Sequence, residues 1–290
     1  MNILKACLSI VIVVSLIFFQ IFFPFIAYTT FYSNANNKMT LGIMYYFLSE
    51  QEGEIYDSLT RMKNIGIKVI KIPCEIDPYD SRSWINNKTM KFFQFIDYFN
   101  CFDICLIVYN VGEDKLKFFL QNYGKYIKYI QLLNEPEAMK SWAEGAFCMD
   151  EELIKQFLTY KNITDTYCPN VTYYTNFSPG FFLRPNLVVE FSKYLDFVGF
   201  DPYTEAIYYL TPRYVELLHK LSGKEVIISE FGASNYDEQR QAELIVDYLN
   251  LFKSMGIKQA WIWSWNDINN MGIKGRLAEQ KVAEWVARNS

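Results

Sequence analysis

The sequence predicts an α/β fold, a single (β/α)8 TIM barrel preceded by an N-terminal transmembrane helix. Eight short apolar runs alternate with eight helix-like stretches, the rhythm of parallel strands joined by helical crossovers. Residues 39–290 have the length of one such barrel, about 250 residues. Gly66 and Gly256 each stand just past a helical pattern and directly before a strand, where a left-handed stop is expected.

The predicted strands are 41–46, 68–73, 104–109, 129–134, 171–176, 197–200, 226–230 and 260–264. Their near-continuous Val, Ile, Leu and aromatic content suits strands buried on both faces of a parallel sheet. The predicted helices are 54–64, 89–99, 114–123, 151–166, 187–194, 213–221, 237–255 and 277–287. Asp150-Glu151-Glu152 and Asp237-Glu238 put acids in first turns, where they complement the helix dipole. An open doubly wound sheet is the alternative, but no glycine-rich phosphate fingerprint follows the first strand.

Ala6 to Tyr28 is almost uninterrupted apolar sequence with Lys5 before it, long enough to span a bilayer as a helix of roughly 20 residues. Residues 1–28 are therefore expected to form a signal anchor, residues 29–38 a short polar tether, and residues 39–290 one domain on the extracytoplasmic side. A cleaved, secreted form is the alternative. Four Asn-x-Ser/Thr sequons, at Asn87, Asn162, Asn170 and Asn176, fit export and a glycoprotein. Beyond Cys7 in the anchor, five cysteines remain, an odd number that forbids a complete disulfide framework, and no spacing matches zinc. Cys148 and Cys168 are expected at opposite ends of a helix and hence unbonded; Cys74–Cys148 is the one pair entertained. The net charge of −4 and pI near 5.3 give no basic surface for nucleic acid.

Two strands carry the chemistry. Gln131-Leu132-Leu133-Asn134-Glu135 and Val226-Ile227-Ile228-Ser229-Glu230 are apolar runs that end in glutamate. At the carboxyl ends of barrel strands both carboxylates reach the mouth where ligands bind. Such a pair can serve glycoside hydrolysis as acid/base and nucleophile. Other strand ends add Tyr45 or Tyr46, Lys71, Asn176, Asp201, Tyr203 and the Trp261/Trp263/Trp265 stripe. The single histidine, His219, falls within a helix as a surface residue, and no metal or cofactor is called for.

Leu132-Leu133-Asn134-Glu135-Pro136, Gly199-Phe200-Asp201-Pro202-Tyr203, Ile228-Ser229-Glu230-Phe231-Gly232 and Trp261-Ile262-Trp263-Ser264-Trp265 together resemble clan A of the retaining glycoside hydrolases, the cellulase- and mannanase-like TIM barrels. The resemblance covers residues 40–288 and does not resolve the family within the clan. It implies that Glu135 is the general acid/base and Glu230 the nucleophile. It also implies that Asn134 binds the sugar 2-hydroxyl, that Tyr203 donates to Glu230, and that Trp263, ahead of Trp265, floors the reacting sugar. An oligo- or polysaccharide is then the expected substrate and the membrane the other partner. Lys71 stands where the clan commonly carries arginine, keeping the charge but losing the planar fork. Its expected role is to orient the nucleophile, with a plain ion pair as the alternative. Of Tyr45 and Tyr46 only one can face the mouth, and Tyr45 is assigned there; Asn176 and Asp201 complete the expected site. A catalytically weak or inactive glycan-binding barrel is the competing function.

Overall fold

The computed structural model describes residues 38–80, 82–139, 149–203, 205–234 and 236–289. The expected anchor and all but the last residue of the tether lie outside them, as does Cys148. Among the described residues no helix is long and apolar enough to cross a membrane.

The strands are β1 Thr40–Met44, β2 Val69–Pro73, β3 Asp103–Val108, β4 Ile127–Leu132, β5 Thr172–Tyr174, β6 Asn176–Phe177, β7 Phe197–Phe200, β8 Glu225–Phe231 and β9 Gln259–Ile262. The helices are α1 Glu52–Ile65, α2 Trp84–Phe99, α3 Glu113–Tyr123, α4 Asp150–Tyr167, α5 Pro185–Ser192, α6 Glu205–Ser222, α7 Glu238–Ser254 and α8 Leu277–Asn289. Local chemistry sets several ends. Gly66 leaves α1 at φ 93, the left-handed region a glycine enters freely. The Ser83 side chain caps α2, which therefore begins five residues before the predicted start. Helix α6 begins at Glu205 rather than Arg213 and carries Pro212 inside it. Proline argues for a boundary, but Ile207 and Tyr208 pack against the core, and that burial extends the helix back through Pro212.

Every pairing is parallel, in the order β5-β4-β3-β2-β1-β9-β8-β7-β6. The two ends of that order, β5 and β6, are halves of one strand interrupted at Thr175. The sheet is thus closed: a TIM-barrel-like parallel barrel with eight strand positions, not the open sheet. Across the interruption, Asp196 N donates to Tyr173 O at 2.9 Å and Gly199 N to Thr175 O at 2.9 Å.

The core has two parts. Between strands and helices lies the large apolar layer that includes Ile43, Ile70, Leu106, Ile130 and Ile228. Inside the barrel a smaller cluster of Val69, Cys105, Tyr174, Phe197, Ile227 and Trp261 forms the floor. Above it, toward the carboxyl ends of the strands, the interior side chains turn polar. Lys71, Gln131, Asn176, Asp201 and Ser229 are all fully buried there. Buried polar groups need partners, and these find them in one another.

Candidate active site

Both glutamates owe their position to irregular backbone at a strand tip. After β4 the chain turns through Leu133 at φ 63 and Glu135 at φ 43, left-handed conformations uncommon for residues with a Cβ. The Glu135 amide donates to Asn176 Oδ1 at 3.2 Å, and a 3-10 turn, Pro136–Ala138, follows. In β8 the register to β9 shifts: Ile228 pairs with Ala260 and Phe231 with Ile262, so three steps oppose two. That is a bulge, which re-aims a side chain. Strict alternation would turn Glu230 outward with Ile228; the extra residue lets both Ser229 and Glu230 face the interior.

Glu230 is held at both oxygens. The Lys71 ammonium, fully buried, contacts Oε1, and the Tyr203 hydroxyl donates to Oε2. The Lys71 ammonium also lies 3.4 Å from Ser229 O. Burial pushes Glu135 up to about 7, helped by the charges of Glu230 and Glu137 and opposed by Lys71. Asp201, buried beneath both, is raised well above the usual carboxylate range by desolvation and then by Glu230 and Glu135. The Tyr203 phenol is raised by burial and by the same Glu230 charge, so it stays a donor.

A hydrogen-bonded chain runs between the two glutamate-bearing strand tips. The Tyr174 hydroxyl donates to Gln131 Oε1 at 2.7 Å, and Gln131 Nε2 donates to Asn134 Oδ1 and Asn176 Oδ1, both at 2.8 Å. Asn176 Nδ2 donates to Asn134 Oδ1 at 2.9 Å and to Asp201 Oδ2 at 2.5 Å. Ser229 Oγ, next to Glu230, donates to Asp201 Oδ1 at 2.5 Å. With Asn134 Oδ1 occupied by two donors, its amide NH2 is the group left to meet a ligand. Asn176 is buried within this chain, whereas the sequon asparagines Asn87, Asn162 and Asn170 are exposed.

Two expected platform residues are corrected. Tyr45 is fully buried, its hydroxyl 2.6 Å from Glu50 Oε2, so it packs behind the site. Its neighbour Tyr46 takes the mouth position, edge-on to Trp263 with ring centroids 5.8 Å apart. Trp265 is also fully buried, beneath the Arg61 guanidinium at 5.5 Å, with no surface for a sugar. Alternation holds only within a strand, and β9 ends at Ile262. Trp261 floors the barrel and Trp263, half-buried, remains at the rim. A glycine was the missed signal for β1. A Cβ on Gly42 would lie 2.5 Å from Trp261 Cδ1, so Gly42 faces the barrel interior, and the period of two then puts Met44 and Tyr46 on that face.

Gln131 and Glu137 were not singled out from sequence. Glu137, two residues from Glu135, is buried and pushed up to about 7 by desolvation. It accepts from Ser178 N at 2.6 Å and Ser178 Oγ at 2.7 Å, tying the loop after β4 to the loop after β6. His219 is exposed on α6, with Nδ1 2.7 Å from Lys224 O, and takes no part. Cys74, Cys101, Cys105 and Cys168 carry free thiols.

Comparison of the whole fold adds a second line. Family models and curated protein sequences give no match. Solved structures do. The family 1 β-glucosidase from Thermotoga maritima superposes with a TM-score of 0.63 at 12% identity, over 87% of this chain and 98% of that one. The endo-β-1,4-mannanase from Thermotoga petrophila gives 0.65 at 12% identity, over 89% and 78%. A second mannanase structure, from strain RKU-1 with maltose and glycerol, gives 0.62 at 13%, over 87% and 99%. What is shared is the fold. It resembles the TIM barrels of the clan A glycoside hydrolases and singles out no family within that clan.

Proposed function

We propose that this chain is a retaining glycoside hydrolase acting on β-linked oligo- or polysaccharides by double displacement. The observation that carries this reading is the pairing of Glu230, held by the Lys71 ammonium at one oxygen and the Tyr203 hydroxyl at the other, with a buried Glu135 whose proton is held to about 7. In the first step a Glu230 oxygen bonds to the anomeric carbon while the glycosidic bond breaks, and the Glu135 proton passes to the departing oxygen. Bond formation removes the negative charge of Glu230, and Glu135 is left as carboxylate. In the second step Glu135 takes a proton from water, the water oxygen bonds to the anomeric carbon, and Glu230 departs as carboxylate. Asn134 offers its NH2 to the sugar, and Trp263 with Tyr46 supplies the apolar wall. Residues 1–28 are proposed to anchor the domain extracytoplasmically, a cleaved and secreted form being the alternative.

The second reading is a glycan-binding barrel with weak or no catalysis. Its support is Lys71: a buried ammonium on Glu230 Oε1 favours the free carboxylate and opposes its use as nucleophile. Azide separates the two. Glu230→Ala opens a cavity beside the anomeric carbon, and azide entering it gives a glycosyl azide of inverted configuration. Glu135→Ala spares activated aryl glycosides, and azide then gives a product of retained configuration. Native rates from both variants on an unactivated glycan refute the assignment of the two glutamates.

A further inference from the structure

We infer that Glu50 is a positioning residue for the apolar wall of the site: through Asn266 it fixes Tyr46 against Trp263, across the seam where the first and last strands meet. The inference rests on the hydrolase reading above and goes beyond it, giving a role to a buried carboxylate that the mechanism does not use.

The two wall residues come from different loops. Tyr46 follows β1 and Trp263 follows β9, and these two strands pair in parallel at the seam. Trp263 is placed by its backbone: its amide donates to Phe231 O at 2.8 Å, and the amide of Trp265 donates to Met44 O at 2.8 Å. Tyr46 is placed by a side chain. Its amide donates to Asn266 Oδ1 at 2.8 Å.

Asn266 is buried, and Glu50 on its other side determines which way its amide points. Asn266 Nδ2 donates to Glu50 Oε1 at 2.8 Å, and a carboxylate only accepts. Turned over, the amide would set its NH2 against the Tyr46 N–H and its oxygen against the carboxylate. Glu50 is itself held from both sides of the seam. The Tyr45 hydroxyl at 2.6 Å and Ser58 Oγ of α1 at 2.8 Å donate to Oε2, and Lys274 Nζ at 2.7 Å joins Asn266 on Oε1. Four donors converge on this side chain, a set that only a carboxylate accepts in full.

The clasp ends on the wall itself. Tyr46 lies edge-on to Trp263 at 5.8 Å, and its phenol is raised by burial and then by the charge of Glu230. Its ring therefore stands within the field of the proposed nucleophile, where a shift of the loop after β1 would open the wall. A wall held in place before the sugar arrives loses little freedom on binding.

The test uses the full chain in detergent with nitrophenyl β-glucoside and β-mannoside. Asn266→Ala is expected to raise KM about tenfold, equivalent to about 1.4 kcal/mol, with kcat held within about twofold, because a wall serves ground and transition states alike. Glu50→Leu is expected to match it. Glu50→Gln still offers an oxygen to Asn266 and Lys274 and is expected to keep the native KM. Ser58→Ala removes a donor from the far oxygen and is expected to lower the denaturant midpoint without moving KM. Near-ultraviolet circular dichroism reads the Tyr46–Trp263 pair without turnover: Asn266→Ala should lose the indole band that Trp263→Phe loses, and Ser58→Ala should keep it. A native KM or an unchanged indole band in Asn266→Ala overturns the inference. So does a KM in Ser58→Ala or Glu50→Gln raised as far as in Asn266→Ala. Should Glu50→Leu not fold, Asn266→Ala and Glu50→Gln decide. Absence of aryl-glycoside hydrolysis by the native chain defeats the hydrolase reading instead, and the dichroism still decides for or against the clasp.

Discussion

Glu135 and Lys71 act on the same balance of charge from opposite sides. Burial and Glu230 raise the Glu135 carboxyl from 4.5 to about 7, and Lys71 holds it from rising further. In the proposed role of general acid Glu135 must carry its proton, so kcat/KM should fall as pH rises through about 7. Stability follows the same proton. A carboxyl whose pKa is higher in the folded chain contributes stability that is full below about 4.5 and is lost as pH rises through about 7. Glu135→Gln stays neutral throughout, so by scanning calorimetry its Tm should exceed that of the native chain at pH 8 and match it at pH 4. An equal shift at both values contradicts the assignment. Lys71→Met strands the buried Glu230 carboxylate, and removing one partner of a buried pair costs about 3–5 kcal/mol. Denaturant unfolding should show that loss at pH 7, and the basic limb of the pH–rate profile should move upward because the charge that lowered Glu135 is gone.

At the scale of the elements, the bulge in β8 decides the site, and a glycine on the neighbouring strand makes room for it. A Cβ on Gly199 of β7 would lie 2.2 Å from Ser229 Oγ and 2.7 Å from Ser229 Cβ. Gly199→Ala must displace Ser229, and with it the backbone that aims Glu230. Overpacking of this kind costs about 1–3 kcal/mol, and kcat should fall with stability. Gly53 in α1 is the contrast, since a Cβ there meets nothing within 4 Å. Gly53→Ala should stabilise by about 0.5–1 kcal/mol through helix propensity and leave kcat unchanged. Chemical denaturation and steady-state rates on both variants check the pair. The elements themselves were readable because period, glycine stops and caps are local. The bulge was not, since it is a mismatch of register between two strands and belongs to neither sequence alone.

The barrel unit as a whole closes on itself twice, at the strands and at the helices. β1 pairs with both β2 and β9, and outside them α1 meets α8 through Arg61 and Glu279, whose guanidinium and carboxylate face each other in two parallel contacts. The same guanidinium covers Trp265, so the first and last helices share one packed junction. The side chains are 32% and 14% exposed, sheltered enough for a bidentate charged pair to contribute. Arg61→Met should lower the unfolding free energy by about 1–2 kcal/mol, read from the denaturant midpoint, with no change in KM. A midpoint that does not move means the closure is carried by the strands alone.

The sequence by itself determined the order of eight strands and helices, the strand tips that carry Glu135, Glu230 and Tyr203, and the departure at Lys71. These rest on side-chain periodicity and on where an apolar run stops, both legible along the chain. Tertiary structure decided which member of an alternating pair faces the mouth, Tyr46 instead of Tyr45, and it buried Trp265, which strict alternation would have left on the same face as Trp263. Alternation shows that neighbours point apart; only closure of the barrel, with Gly42 against Trp261, says which way is in. It decided also that Gln131, Asn176, Asp201 and Ser229 form one chain of hydrogen bonds. Their partners lie 25 to 45 residues apart, and in a closed barrel such groups meet because desolvation leaves each no partner but the others.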